Sequence, residues 1–317
     1  MSTNKKLLLI LSLVFSFNIL SGQQTPLSPV SYWVFVPYIY NPAIIGSKDF
    51  LSVDLNTAFM GKSSAQILSG NIRFSKTRSG YFSSPDILEF NNVGIGGSIF
   101  HNINGFSRNI GASIAGSYQI PLNTRKLSFL SFGASVKGVL NILDAGSVVT
   151  GNPSKKTFYP NLDLGIYYFG SSFFSGLSTV NLLGNPGDRD SLGVFEIPVA
   201  RQYFFTAGYK IILNRSLNIV LEPSVLINAY DSTFNKISDN LNPIIKLYAG
   251  NFCVGTYFLS NGKTSFFAQF RYPKFYLGAF FELPRKAPLF KSNPTIEFTM
   301  GLNIQIDKSK LPKKSHW

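Results

Sequence analysis

Few side chains in this sequence could perform catalysis or hold a metal ion. The chain has two histidines, His101 and His316, and one cysteine, Cys253. His101 falls in a predicted turn and His316 in the C-terminal tail, so the sequence indicates neither a histidine metal cluster nor a nucleophile–base–acid arrangement. The alternative is a hydrolase that pairs His101 with a nearby serine. We expect no enzymatic activity, no metal and no cofactor.

A second pattern with a chemical interpretation is the glycine-rich stretch Gly94-Ile95-Gly96-Gly97. Closely spaced glycines can form a phosphate-binding loop where a strand leads into a helix. Here the glycines lie inside an alternating segment, and glycine in a strand more often permits close packing or bending. We therefore assign no ligand to Gly94 or Gly96.

The N-terminus is typical of a cleavable secretory signal. Lys5-Lys6 precedes the apolar run Leu7–Leu20, and the small residues Ser21-Gly22 follow it. The run has about 14 residues, fewer than the roughly 20 that a spanning helix needs, so an N-terminal membrane anchor is the weaker alternative. We predict that residues 1–22 are removed on export and that the mature chain begins near Gln23.

The composition suits a membrane better than water. Hydrophobic residues make up 45% of the chain, aromatic residues 15% and charged residues only 14%, against about 25% charged residues in an average soluble domain. Beyond the signal, no stretch approaches the roughly 18 uninterrupted apolar residues of a spanning helix. The richest candidate, Leu127–Leu143, contains Lys137 and alternates. An exported apolar chain without spanning helices fits the closed β-barrel, the other architecture that satisfies every backbone polar group in lipid.

Strands of such a barrel should alternate between a lipid face and a lumen face. In Ile296–Ile306 and Ile110–Ile120, apolar residues alternate with polar or small ones. Counting such segments predicts an all-β fold, a transmembrane antiparallel β-barrel of about 14 strands (roughly 12–16) in the outer membrane. The barrel should occupy residues 50–306, after an N-terminal segment at residues 23–49. Other alternating segments are Leu51–Leu55, Leu162–Tyr168, Tyr203–Ile211, Leu217–Ile227, Phe252–Phe258, Ser265–Arg271 and Phe275–Leu283.

The predicted connections mostly alternate between short and long in the second half of the chain, as expected when periplasmic turns are short and extracellular loops long. Two connections break the rule. Lys76–Asn91 is long where a short turn is expected, and Ser260-Asn261-Gly262 forms a hairpin turn where a loop is expected. The short turns are Asn214-Arg215, Ala249-Gly250-Asn251 and Tyr272-Pro273, and the long loops are Asn141–Thr157, Asn181–Ala200 and Tyr230–Leu241.

A soluble β-sandwich also alternates and also has frequent turns, so it is the alternative fold. The low charge, the 30 Phe and 15 Tyr residues and the scarcity of charged residues within strands argue against it. Aromatic pairs near strand ends, such as Phe173-Phe174, suit the interfacial girdles of a barrel, although a packed core would also use them.

The net charge is +14, and removal of Lys5-Lys6 with the signal leaves +12. Four of the lysines lie in a basic C-terminal tail at residues 307–317. Solvated loops and rims that face lipopolysaccharide are one interpretation, and a docking surface for an acidic partner is the other. Nucleic acid is not an expected partner of an exported, membrane-embedded chain.

Three blocks of the sequence resemble, in order, those of one protein family. Tyr40–Ser47 is similar to its "NPA-x-x-G-S" opening, Asn92–Phe100 to a second block, and Arg201–Tyr209 to its "R-H-Y-F-x-T-A-G-Y" block. On these blocks the chain resembles the PorP/SprF family, outer-membrane proteins of the type IX secretion system in the Bacteroidetes. The matching residues are Asn41, Pro42, Ala43, Gly46, Gly94, Gly96, Arg201, Tyr203, Phe204, Thr206, Ala207, Gly208 and Tyr209.

The chain departs from the family pattern at three places. Gln202 replaces the usual histidine, and the stretch after Gly46 lacks the expected tryptophan. Asp307–Trp317 extends past the last predicted strand, whereas family members commonly end there on an aromatic residue. The last departure concerns the signal for barrel insertion more than the fold.

The resemblance implies an accessory of protein secretion, without a catalytic cycle, that helps to export or to retain at the cell surface particular cargo such as gliding adhesins. Implied partners are the C-terminal domain of a secreted cargo protein, other type IX secretion components and outer-membrane lipid. An outer-membrane diffusion channel or small-solute transporter is the alternative, since small residues on many inner faces leave room for a lumen. A passive structural anchor is a third.

The matching residues either shape the barrel or touch a partner. Asn41-Pro42 favours a turn and Gly46 tolerates a positive φ, so we expect Asn41–Gly46 to bend the N-terminal segment into the first strand. Arg201 and Tyr203 are expected to begin a strand after a long loop, where an arginine could equally bind lipid headgroups or a partner domain.

Overall fold

The computed structural model describes residues 30–48, 51–61, 63–75, 92–105, 107–123, 127–143, 155–184, 201–230, 240–260, 262–283 and 294–304. The predicted signal peptide and the basic tail at 307–317 lie outside these ranges and stay predictions. Within the ranges, no helix is long and apolar enough to cross a membrane.

The described strands form one closed antiparallel barrel. The first strand pairs with both the second and the last, and every other strand pairs with its neighbours in the chain. The eighth strand has two segments, separated at Lys210, which both pair with the ninth. The predicted count of about 14 is therefore confirmed. The strands are β1 Leu51–Met60, β2 Ser63–Ser75, β3 Asn92–Asn104, β4 Ser107–Asn123, β5 Ser128–Leu143, β6 Lys155–Phe169, β7 Phe173–Val180, β8 Gln202–Tyr209 with Ile211–Asn214, β9 Ile219–Tyr230, β10 Leu241–Ala249, β11 Phe252–Phe258, β12 Thr264–Tyr272, β13 Phe275–Leu283 and β14 Thr295–Ile304.

The strands carry their apolar side chains outward and their polar side chains inward. In β14, Glu297 and Thr299 are buried, whereas Phe298 between them is half exposed. In β4, Ile114 is 75% exposed, and Gln119 is fully buried. A soluble sandwich would bury the apolar face and expose the polar one, so this inversion rules out the alternative fold. The arrangement suits an outer face in contact with lipid and an inner face whose polar groups the protein itself satisfies.

The two ends of the barrel differ. Because the strand number is even, Leu51 and Ile304 lie at the same end, where they pair with each other. The turns after β6, β8, β10 and β12 at that end are short, and the connections after β5, β7, β9 and β13 at the other end are long. By the usual rule, the end at which Leu51 and Ile304 lie faces the periplasm. Four connections depart from this rule: the long one after β2 and the short ones after β1, β3 and β11.

One local prediction is wrong. His101 lies inside β3, not in a turn. The hairpin turn comes later, at Asn104-Gly105, where Gly105 has a φ of +59°. Asn-Gly is the stronger hairpin signal, so the strand continues through the polar residues around His101.

Candidate functional site

The lumen of the barrel contains residues 30–48, which we call the plug. It consists of helix α1, Val30–Phe35, followed by two 3-10 helices, Pro37–Ile39 and Pro42–Ile44. Proline at the start of each 3-10 helix has its φ already fixed and lacks only an N–H that would have no partner there. Val36 and Ala43 are fully buried. The plug is therefore a second layer of core inside the polar wall of the barrel.

On one side of the lumen, a buried network holds the plug to β1 and β2. The Tyr38 hydroxyl donates to Asp54 Oδ2 at 3.0 Å and lies 2.8 Å from Ser69 Oγ. The Tyr276 hydroxyl of β13 donates to the other Asp54 oxygen. Burial and the adjacent Asp54 carboxylate raise the pKa of Tyr38 far above its usual range, so the phenol stays a neutral donor.

Asn41 holds the plug to the opposite side of the barrel. Its Oδ1 accepts from the Ala43 N–H at 3.0 Å, which caps the second 3-10 helix. Its Nδ2 donates to the carbonyl oxygens of Ile166 on β6 and Leu177 on β7, at 3.2 and 3.4 Å. One amide therefore shapes the plug and also bonds it to the wall.

Two further contacts fix the ends of the plug. The Ile45 carbonyl accepts from Ser117 Oγ at 2.6 Å and from Gln119 Nε2 at 3.0 Å, both on β4. The Ser31 N–H donates to Glu297 Oε2 on β14 at 2.8 Å. With four sets of polar anchors around the wall, the plug occupies one defined position in the lumen.

Aromatic side chains fill the space between these anchors. Trp33 stacks on Tyr40 with ring centroids 3.9 Å apart, and both rings pack on Phe204 of β8. On the other side, Phe35 packs edge-on against Phe280 of β13, with a centroid distance of 5.0 Å. Such pairs add to the stabilisation that comes from burying apolar area.

Glycines on the inner wall let the plug approach the strands closely. A Cβ added to Gly133 of β5 would lie 2.3 Å from both Ala43 N and Pro42 C. A Cβ at Gly94 of β3 would lie 2.6 Å from the Ile45 carbonyl oxygen. Any larger residue at these positions would collide with backbone atoms of the plug, so glycine here is a packing requirement.

The three family blocks meet in the lumen. Asn41, Pro42, Ala43 and Gly46 belong to the plug, and Gly46 has a φ of +70°. The plug touches Gly94 on β3 and Phe204 on β8. Gly96 on β3, and Thr206 and Gly208 of the Arg201–Tyr209 block on β8, also lie on the inner face of the barrel. The structure does not bring the other residues of the Arg201–Tyr209 block to the plug. Tyr203, Ala207 and Tyr209 lie on the outer face of β8. Arg201 lies just before this strand, and its Nε donates to the Leu182 carbonyl at 2.8 Å.

The expectation that Asn41–Gly46 bends the chain into the first strand describes only part of its position. These residues lie inside the lumen, packed on β3 to β7. The sequence did contain a signal for this location. Residues 32–36, Tyr-Trp-Val-Phe-Val, are apolar all round, and a short helix of that kind has to be buried.

Two ion pairs on the inner wall join neighbouring strands. Lys137 of β5 lies 2.8 Å from Asp163 of β6, and Lys246 of β10 lies 2.9 Å from Glu222 of β9. In the described ranges, no group of three or more His, Cys, Asp and Glu residues could hold a metal ion. Cys253 is a buried free thiol.

We expect Tyr38→Phe to lower the stability of the folded barrel by about 1–2 kcal/mol, because a buried donor to Asp54 and Ser69 is lost. Tyr209→Phe is the matched control, since that side chain is 51% exposed on the outer face, and should change stability by less than about 0.5 kcal/mol. Urea unfolding of both variants in detergent micelles measures the difference. Equal midpoints would show that the Tyr38 network contributes nothing.

An antiparallel barrel with an apolar outer face and a polar, occupied lumen defines an outer-membrane β-barrel protein. The family model of the type IX secretion system membrane protein PorP/SprF matches residues 22–302. The chain therefore belongs to the PorP/SprF family, and its place is the outer membrane. No curated protein sequence matches the chain significantly.

Solved structures with a similar fold are other membrane barrels. The KdgM porin has a TM-score of 0.38 and 7% identity, with 79% of this chain and 98% of that chain covered. BamA from Haemophilus ducreyi lacking POTRA domains 1–3 has a TM-score of 0.39 and 10% identity, with 81% and 71% covered. The NanC porin has a TM-score of 0.34 and 8% identity, with 80% and 98% covered.

Proposed function

We propose that this protein is a closed, non-enzymatic barrel that supports the export or surface attachment of specific cargo by the type IX secretion system. The plug is the observation that carries the proposal. An occupied lumen, bonded to the wall at four places, favours a protein that works through its ends and its loops over one that conducts solutes.

The partners proposed for these ends are the C-terminal domain of a secreted cargo protein and other components of the secretion system. The net charge of +12 that remains after removal of the predicted signal favours acidic surfaces on them. On the extracellular rim, Arg108, Lys156 and Arg201 are exposed cations. The apolar outer band supports the third proposed partner, the lipid of the outer membrane.

The alternative, a diffusion channel or small-solute transporter, requires that solutes pass the plug. Small inner residues, such as Gly111 and Ser113 on β4, supported that hypothesis from the sequence. In the structure, Ser117 and Gln119 on the same face bond the plug. The wall space that suggested an open lumen is thus partly used for packing.

We expect deletion of the gene in its native host to remove one or a few large proteins from the cell surface. Mass spectrometry of the surface, medium and periplasm would identify them, and complementation with the intact gene should restore them. An unchanged surface proteome would contradict a cargo role and favour the channel, which steady single-channel conductance of the purified barrel would then have to show.

A further inference from the structure

A cavity of about 170 Å³ lies between the plug and strands β6 to β10. The plug contributes one wall, which includes Trp33 and Ile44, and the strands contribute the others. A cavity of roughly 150 Å³ in another protein is known to hold a benzene ring. This cavity is therefore large enough for a six-membered ring or a branched chain with a small polar head.

Rigid aromatic side chains form the apolar part of the cavity. Trp33, Phe174 and Phe204 line it, and Trp33 is held by its stack on Tyr40, whose ring plane differs by only 5°. A preorganised apolar wall costs little conformational entropy when a ligand binds. It favours a ligand with a flat or branched hydrocarbon body.

The polar part of the lining has an excess of positive charge. Lys210, Lys246 and Glu222 all border the cavity. Both Glu222 oxygens already have donors, because Lys246 Nζ lies 2.9 Å from Oε1 and the Tyr248 hydroxyl 3.2 Å from Oε2. No described residue forms a hydrogen bond or ion pair with Lys210 Nζ. Two cations therefore face one carboxylate that is already fully engaged.

Ser178 gives a second, independent indication of a polar ligand. Its side chain borders the cavity and is only 7% exposed. Its Oγ has no hydrogen-bond partner among the described residues. A buried hydroxyl without a partner is costly, and a ligand oxygen in the cavity would supply that partner. Thr206 and Ser224 add two more hydroxyls to the lining.

We propose that this cavity binds a small carboxylate with an aromatic or branched apolar body. The carboxylate lies on Lys210 and the hydroxyl groups, and the body packs between Trp33, Phe174 and Phe204. Such a group can come from a free organic acid or from the C-terminal residue of a peptide, which have the same head and body. The site does not depend on the proposed cargo role.

The purified mature protein in detergent micelles allows a direct test. The chain has two tryptophans, Trp33 and Trp317, so a Trp317→Phe background leaves the cavity residue as the sole tryptophan reporter. We expect phenylacetate to change its fluorescence saturably, and phenylacetamide, which has the same shape without the charge, to bind at least about tenfold more weakly. A short peptide that ends in phenylalanine, compared with its C-terminal amide, distinguishes the two sources. Binding by the free-acid peptide alone would assign the site to peptides, and binding by phenylacetate alone to free acids.

Lys210→Gln should weaken phenylacetate binding by about tenfold or more, because it removes the charge-assisted contact. Lys274→Gln, on an exposed turn away from the cavity, is the matched control and should bind as the parent does. Equal affinities for the acid and the amide in the parent protein, or the absence of saturable binding by any of the four probes, would overturn the proposal. Because these comparisons use the unaltered lysine, they hold even if Lys210→Gln misfolds.

Discussion

Removal of residues 30–46 should turn a silent barrel into a conducting one. The four sets of anchors and the aromatic packing of the plug all lie within these residues. A barrel of this width, once emptied, encloses a polar lumen wide enough for water and ions. In planar bilayers we expect no resolvable steps from the intact protein and a steady open-channel current from the deletion variant.

A second variant separates occupation of the lumen from attachment to its wall. Replacement of residues 30–46 by a glycine–serine segment of equal length keeps the chain but removes every anchor. It should give an unsteady, flickering current, since a flexible segment enters and leaves the lumen. Circular dichroism and a heat-dependent shift in electrophoretic mobility would verify that each variant is folded. A steady current from the intact protein, or a folded deletion variant that stays silent, would contradict a closing role for the plug.

The barrel could be predicted from the sequence because its signal is local. Each strand shows alternation over its own length, as β4 does between Ile110 and Ile120, and lipid on one side makes that alternation strong. The strand count, and the division of β14 into one polar and one apolar face, followed from this alternation alone. The ends of some strands did not, because polar residues near a rim, such as His101, are equally typical of a strand and a turn.

The plug could not be predicted from local signals because its partners are distant in the sequence. Asn41-Pro42 indicates a turn wherever it occurs, and nothing near it shows that the amide of Asn41 bonds to Ile166 and Leu177, more than a hundred residues away. The glycines of the wall also contact residues of the plug that are distant in the sequence. Nothing in the sequence around Gly133 shows that glycine is required there. The requirement appears only in the folded barrel, where a Cβ added to Gly133 would lie 2.3 Å from Ala43 N.

The resemblance to the family singled out these residues without giving their physical role. The blocks around Asn41, Gly94 and Phe204 lie far apart in the chain, yet in the lumen they form the contact between the plug and the wall. We infer that the three blocks match the family because their residues form this contact, more than because of the residues on the outer surface of β8. Tyr203 and Tyr209 lie on that outer face, away from the plug.

A single methyl group on the wall should loosen the plug. In Gly133→Ala, the new Cβ would lie 2.3 Å from Ala43 N and Pro42 C, and backbone atoms in a capped turn cannot move aside as a flexible side chain does. We expect a loss of about 1–3 kcal/mol of stability, typical of overpacking. The aromatic residues of the plug should also become accessible to chymotrypsin, which limited proteolysis followed by mass spectrometry would detect.

Gly116→Ala on the adjacent strand is the matched control. A Cβ at Gly116 would meet nothing closer than the Gly94 carbonyl oxygen at 3.8 Å, and alanine is no worse than glycine in a strand. This variant should differ from the parent by less than about 0.5 kcal/mol and keep the plug protected. Equal chymotrypsin resistance in the two variants would mean that the plug can shift without leaving its site, and the close approach at Gly133 would then not be what holds it.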